Sequence, residues 1–261
     1  MGDRITEESL RGTSTSIIGR EIEILDEVTS TNDIARERAE KGCPEGLIVL
    51  ARSQTSGKGR AGRSFVSPPG GLYLSVVLRP GISSSQVSTL PLMAGLAVSK
   101  SISASLMLPS RLKWPNDVLV NDRKVCGILA ESSTKGDRLD HVIIGIGINV
   151  NSTLKDLPSE LSGSAGTLTD TKGSIVDIEE LLRDLVCFLE MLYKRFIEGD
   201  IGGILDEWTE RSETVGREVK VSTPDGTLKG KALGVDQSGA LLVSVEGSLR
   251  RISYGDVEHI D

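Results

Sequence analysis

Residues 111–132, RLKWPNDVLVNDRKVCGILAES, read as a strand, a tight Pro115-Asn116-Asp117 corner, a second strand, an Asn121-Asp122 hairpin turn and a third strand. Working outward, residues 88–108 carry an apolar pattern broken by small Ser, Ala and Gly, which predicts a helix packed closely on a sheet, with Pro91 in its first turn and Pro109 past its end. A further β run spans 141–150. Upstream, 21–28 is strand-like, and a helix follows from an N-cap at Thr29 or Ser30 to Lys41, where Gly42 stops it. Residues 47–52 read as a buried strand, 53–71 as a loop dense in Gly, Ser, Pro, Lys and Arg, and 72–79 as an alternating, half-buried strand. Helical spacing returns at 177–198 and 201–211. Beyond Arg217 there are only short β runs, with turns at Pro224-Asp225-Gly226, Gln237-Ser238-Gly239 and Glu246-Gly247-Ser248. The expected organisation is a mobile leader over 1–20, an α/β domain over 21–212 and a small β-domain over 213–261.

Composition narrows the function. Of 261 residues, 38% are apolar and 29 are glycine, which suits a globular chain rather than a disordered one. Thirty Lys and Arg stand against 37 Asp and Glu, a net charge of −7, opposite in sign to the basic field of a sequence-independent DNA binder. No DNA partner is expected, and the leader is too short for a DNA-reading domain. No basic-then-apolar signal opens the chain, and no apolar run is expected to reach the ~18 residues that span a bilayer. Cys43, Cys126 and Cys187 form no CxxC pair, and only His141 and His259 accompany them. A cytoplasmic protein without a zinc site is expected.

Three stretches carry chemistry. Gln54 and then Gly57-Lys58-Gly59-Arg60-Ala61-Gly62-Arg63 offer close backbone approach and three cations, suited to a phosphate or a carboxyl–phosphate anhydride; a solvated basic loop is the plainer alternative. The stretch has neither P-loop nor dinucleotide-fold glycine spacing. Lys113-Trp114-Pro115-Asn116-Asp117, with Arg123 and Lys124 beyond the next turn, suits a divalent ion with its phosphates, or else an exposed polar hairpin. Gly145-Ile146-Gly147-Ile148-Asn149-Val150-Asn151 pairs glycines with amides that suit a nucleotide, or is a plain core strand.

Together and in this order, Thr29-Ser30-Thr31-Asn32, GKGRAGR, KWPND, RKVCGIL and GIGINVN resemble the signature of biotin protein ligases, from about residue 22 to the end of the chain. The resemblance implies an α/β (α+β) fold: a mixed-sheet, class II synthetase-like catalytic domain joined to a C-terminal SH3-like β-barrel, in the short form without an N-terminal DNA-binding domain. It implies ATP with Mg²⁺, biotin as substrate, biotinyl-5′-AMP as intermediate, a biotin carboxyl carrier protein as partner, and a homodimer. By the same resemblance, Ser30, Thr31, Asn32, Gln54, Lys58, Gly59, Arg60, Lys124 and Gly127 surround biotin. Arg60, Arg63, Lys113, Asn116, Asn149 and Asn151 contact ATP, and Lys124, Arg60, Asp117 and Lys113 act in catalysis. No protein-held metal site is indicated. Family loops most often carry arginine where Lys58 stands, a change that keeps the charge and loses the planar fork. The rival readings are a biotin or adenylate sensor without turnover, and a lipoate or octanoate ligase-like acyltransferase.

Overall fold

The computed structural model of the chain describes residues 5, 15–153 and 163–260. Its larger part holds strands β1 (Ile22–Val28), β2 (Ile48–Gln54), β3 (Leu72–Leu78), β4 (Arg111–Lys113), β5 (Asp117–Val120), β6 (Arg123–Lys135) and β7 (Arg138–Ile148). They pair in the order β1-β2-β3-β7-β6-β5-β4. Only β1 and β2 run parallel, so the sheet is mixed, as expected. Asn121 and Asp122 both have positive φ, 49° and 60°, the backbone that a two-residue hairpin turn between β5 and β6 requires.

Helices α1 (Thr31–Glu40), α2 (Leu90–Leu106), α3 (Leu168–Lys172), α4 (Ile178–Ile197) and α5 (Ile201–Glu210) complete this part. The two faces separate by strand parity. Leu72, Leu74, Val76 and Leu78 of β3 join the main core with α2, α4 and α5. Val77, with Val49 and Ile143, packs instead under Ala35 and Ala39 of α1. The alternation over 72–79 therefore does not mark a half-buried strand. All of β3 is buried, because it lies between β2 and β7 with helices on both faces. Pro91 sits in the first turn of α2, and the helix ends at Leu106, before Pro109, on a left-handed Met107. The segment Ser84–Leu106 is long and apolar enough to cross a membrane once its interleaved Ser, Ala and Gly are counted, yet 67% of its apolar window is buried inside the fold. It is the core helix of the sheet.

Most of the expected mobile leader lies outside the described residues, and its last part is docked rather than loose. Ile18 is buried, and Gly19 N–H donates to Gly46 O. Glu190 of α4 accepts from Ser16 N–H and Oγ at 2.8 and 2.9 Å and from Ile18 N–H at 2.8 Å, and pairs with Lys194 at 2.8 Å. Burial pushes its carboxyl up, but the Lys194, Ile18 and Ser16 donors outweigh that and hold it down at about 2. A depressed carboxyl stabilises the fold fully above its ordinary value of 4.5 and loses that contribution as pH falls toward 2. Glu190→Gln should therefore cost about 3 kcal/mol at neutral pH, a difference that shrinks between pH 4.5 and 2 when denaturant unfolding is followed across that range. A deficit that stays constant with pH would contradict this account of Glu190.

The remaining strands, β8 (Glu218–Thr223), β9 (Gly226–Val235), β10 (Leu241–Val245), β11 (Ser248–Ile252) and β12 (Asp256–His259), form a second, antiparallel sheet in the order β11-β10-β9-β8-β12. Its buried face carries Val219, Val221, Ala232, Leu241 and Val243.

Candidate active site

Strand register lines up one row of side chains across the α1 face of the large sheet. Tyr73 of β3 pairs with Gly147, Gly147 with Gly127, Gly127 with Asp117, and Asp117 with Lys113. The next row holds Ser75, Gly145 and Leu129. Two glycines in the middle of the first row leave a trough floored by backbone. Side chains there or at the glycine of the next row would collide with what lies above: a Cβ on Gly147 would fall 2.6 Å from the Phe65 ring, and one on Gly145 2.1 Å from Asn32 Oδ1. Helix α1 covers the sheet beside the trough, and a cavity of about 750 Å³ remains between α1, the 57–63 loop, the β5–β6 hairpin and the second sheet.

Lys124 reaches this cavity because of a β-bulge. Cys126 pairs with Val118 and Lys124 with Leu119, so Val125 and Cys126 together oppose one residue of β5. Without the extra residue Lys124 would share the core face of Cys126; with it, Lys124 turns onto the face of Gly127. Its Nζ lies 2.6 Å from Asp117 Oδ1. Asp117 Oδ1 is buried, and the Lys124 ammonium is its partner. Cys126 remains in the core, where burial raises its thiol pKa far above the usual range and makes it inert.

Loop cations are tied down individually. Lys58 Nζ pairs with Asp33 at 2.5 Å. Arg60 spans to the second sheet: Nη1 donates to Asn116 Oδ1 at 3.3 Å, Nη2 donates to Gly255 O at 3.2 Å, and the guanidinium sits 5.0 Å from the Tyr254 ring centre. Its side chain is 14% exposed, and burial lowers its pKa. Arg63 Nη2 donates to Asp256 Oδ1 at 2.7 Å. Trp114, after which the peptide to Pro115 is cis, buries its ring and donates its indole N–H to Gly239 O at 3.0 Å. The second sheet thus forms one wall of the cavity, through Asp256, Val257, Glu258 and His259.

At the other end, Ser30 is the N-cap of α1, but its hydroxyl makes no cap bond and is left at the cavity. Thr31 N–H donates to Gln54 Oε1 at 2.8 Å, and Ser75 Oγ lies 2.6 Å from Asn32 Oδ1 and 2.7 Å from Thr31 Oγ1. Asn149 lines the same cavity; its Nδ2 donates to Gly166 O, and its Oδ1 is buried without a hydrogen-bond partner.

Fourteen of the fifteen residues singled out from sequence line this one cavity: Ser30, Thr31, Asn32, Gln54, Lys58, Gly59, Arg60, Arg63, Lys113, Asn116, Asp117, Lys124, Gly127 and Asn149. Asn151 does not. Its carboxamide bonds Val176 on both sides and Thr169 Oγ1, so the expected nucleotide contact gives way to a loop staple. Asn116 lines the cavity, yet its amide donates to Ile128 O at 2.7 Å and its oxygen accepts from Arg60, so it buttresses the corner. Phe65, over the glycines, and Tyr254, against Arg60, were not singled out; neither lies in a motif, and only the strand register and the second sheet bring them here.

A trough floored by backbone, a ring of hydroxyl and amide groups at one end, and six cations from Lys58 to Arg217 against five carboxylates define a site for joining an organic acid to a nucleotide. The model of the biotin/lipoate A/B protein ligase family matches residues 25–149, and that of the biotin protein ligase C-terminal domain matches 214–260. The bifunctional ligase/repressor BirA of Bacillus spizizenii is 35% identical over 98% of this chain and 79% of its own length. The biotin–[acetyl-CoA-carboxylase] ligase of Mycobacterium tuberculosis is 30% identical over 92% of this chain and 90% of its own. Among solved structures, the biotin protein ligase of Aquifex aeolicus in complex with biotin and ATP aligns with a TM-score of 0.80 at 32% identity, covering 92% of this chain and 98% of that one. The chain belongs to the biotin protein ligase family.

Proposed function

We infer that the protein activates biotin with ATP and transfers it to a lysine of a biotin carboxyl carrier protein. The observation that carries this reading is the cross-strand row from Gly147 to Lys113, with Lys124 turned onto its face by the bulge. A carboxylate is a poor acyl donor. Its oxygen first attacks the α-phosphorus of ATP, the bond to the β-phosphate oxygen breaks, and pyrophosphate leaves. The carrier amine then attacks the carbonyl of the mixed anhydride, AMP departs with the bonding electrons, and the surplus proton of the amine passes to water or to the departing phosphate. Two anions meet in the first step, so positioning and charge neutralisation dominate.

In this reading Ser30, Thr31, Asn32 and Gln54 hold the ureido ring, whose carbonyl accepts and whose N–H groups donate. Lys124 and Arg60 flank the carboxyl and α-phosphate. Lys113 and Arg63 take the remaining phosphate charge, Asn149 contributes to the nucleotide end, and Asp117 holds Lys124 and then orients the incoming amine. Phe65 and the 57–63 loop keep water from the anhydride. Among the described residues no three His, Cys, Asp or Glu cluster as a metal site. The carboxylates that line the cavity, Asp117, Asp122, Glu213, Asp256 and Glu258, are hard oxygen donors of the kind magnesium takes, and a cation arriving on the phosphates would be held by one or two of them. Magnesium would supply neutralisation of phosphate charge there. The protein works in the cytoplasm as a homodimer and without a DNA partner, readings supported by its free cysteines, its family and its net charge of −7.

The test is biotin-dependent exchange of labelled pyrophosphate into ATP. Exchange that lipoate does not suppress is the expected result; biotin binding without exchange would leave only a sensor, and suppression by lipoate would point to the acyltransferase alternative. A chain shortened after Glu213 should keep its α/β circular dichroism and lose exchange at least tenfold, because Arg60 and Trp114 lose Gly255 and Gly239. Full activity of the shortened chain would show that the second sheet is dispensable.

A further inference from the structure

Glu131 lies on β6 outside the cavity just described, lining the hollow on the other side of the 57–63 loop. Its carboxylate has two partners from α1. Asn32 Nδ2 donates to Oε2 at 2.7 Å, and Arg36 Nη2 donates to Oε1 at 2.6 Å. Arg36 in turn bonds Asp33 at 3.1 Å, and Asp33 takes Lys58 of the loop. A carboxylate only accepts. Asn32 must therefore present its NH₂ to Glu131 and turn Oδ1 toward Ser75 and the cavity floor, where Gly145 alone leaves room for it. Ser75 Oγ–H then donates to Asn32 Oδ1, and the Ser75 oxygen is left to accept from Thr31 Oγ1. Gln54 is oriented separately, by Thr31 N–H on its Oε1, and its Nε2 donates to Ser67 Oγ at 2.8 Å. One ionised group at the end of the chain thus sets the donor and acceptor pattern of Asn32, Ser75 and Thr31.

We propose that Glu131, braced by Arg36, is a positioning residue that fixes which end of the Asn32 carboxamide faces the cavity and thereby makes that end selective for a cyclic urea. The proposal rests on the reading of this cavity as the biotin site. A urea ring needs acceptors for its N–H groups at fixed places. Asn32 with Oδ1 inward is one; Asn32 reversed would oppose an N–H with its own NH₂ and leave both unpaired.

Steady-state kinetics of the full chain test this. Glu131→Gln keeps the size and reverses the directional constraint: its oxygen stays on Arg36 Nη2, so its NH₂ meets Asn32 and turns Asn32 Oδ1 away from the cavity. Biotin KM should rise about tenfold, the loss expected for one hydrogen bond to a charged group, with kcat and the ATP KM nearly unchanged. Asn32→Asp alone sets two carboxylates against each other and should be worse. Combined with Glu131→Gln it should recover most of the biotin KM, because the new amide donates to the new carboxylate, whose other oxygen still accepts inside the cavity. A residue that merely pins α1 to β6 would not give that recovery. An unchanged biotin KM in Glu131→Gln, an equal rise in both KM values, or a double variant no better than Asn32→Asp would overturn the proposal. If Glu131→Gln alone fails to fold, the comparison of the double variant with Asn32→Asp carries the test. Absence of biotin-dependent exchange in the unaltered protein would defeat the biotin reading itself instead.

Discussion

Lys124→Ala should lose biotin-dependent pyrophosphate exchange and carrier labelling together, each by about 10²–10³-fold, the cost typical of removing one preorganised charge-stabilising group. The bulge at Val125-Cys126 aims the side chain at the glycine row, Asp117 holds its ammonium at 2.6 Å, and Gly127 leaves it room, since a Cβ there would come within 3.2 Å of Nζ. The side chain is 36% exposed and packs in no core, so the variant should fold and melt as the unaltered protein does. Lys124→Arg should restore only part of the rate, because a planar fork does not reproduce a compact ammonium. Near-normal exchange with loss of carrier labelling alone would move Lys124 to the transfer step and contradict its assignment to adenylation.

Gly145→Ala is the second large effect expected. The added methyl would lie 2.1 Å from Asn32 Oδ1, and Asn32 is 3% exposed and held from behind by Glu131. It has nowhere to go without breaking the hydrogen-bond ring, so biotin KM should rise about a hundredfold, the equivalent of two lost hydrogen bonds. Stability should fall by about 1–3 kcal/mol, as overpacking usually costs. Unchanged biotin KM, measured by titrating biotin in the exchange assay, would show that Asn32 does not face the substrate.

Local chemistry that a sequence writes into adjacent positions was legible here. Asn121-Asp122 announces the hairpin turn because few residue pairs tolerate two positive φ angles, and the ordered motifs gather in one cavity because they lie at the start of α1, in the loop after β2, at the corner between β4 and β5, at the start of β6 and at the end of β7. Burial of β3 was not legible, since alternation says nothing of a second layer of helices over the polar-looking face. Nor was the bulge: a two-against-one mismatch between strands leaves no mark in either strand alone, so Lys124 was placed on the hairpin without the device that turns it inward. Asn151 failed for a related reason. Had β7 continued, it would share a face with Asn149, but the strand ends at Ile148 and the two amides leave in different directions. Glu131 carries no motif, and its role comes only from α1 lying across β6 and β7.

The most direct measurement mixes the full chain with biotin, Mg²⁺, ATP and a biotinyl carrier domain and weighs the intact carrier. The carrier should gain the mass of one biotinyl group on one lysine, and only when biotin and ATP are both present. A carrier of unchanged mass, from a protein that binds biotin, would contradict the account.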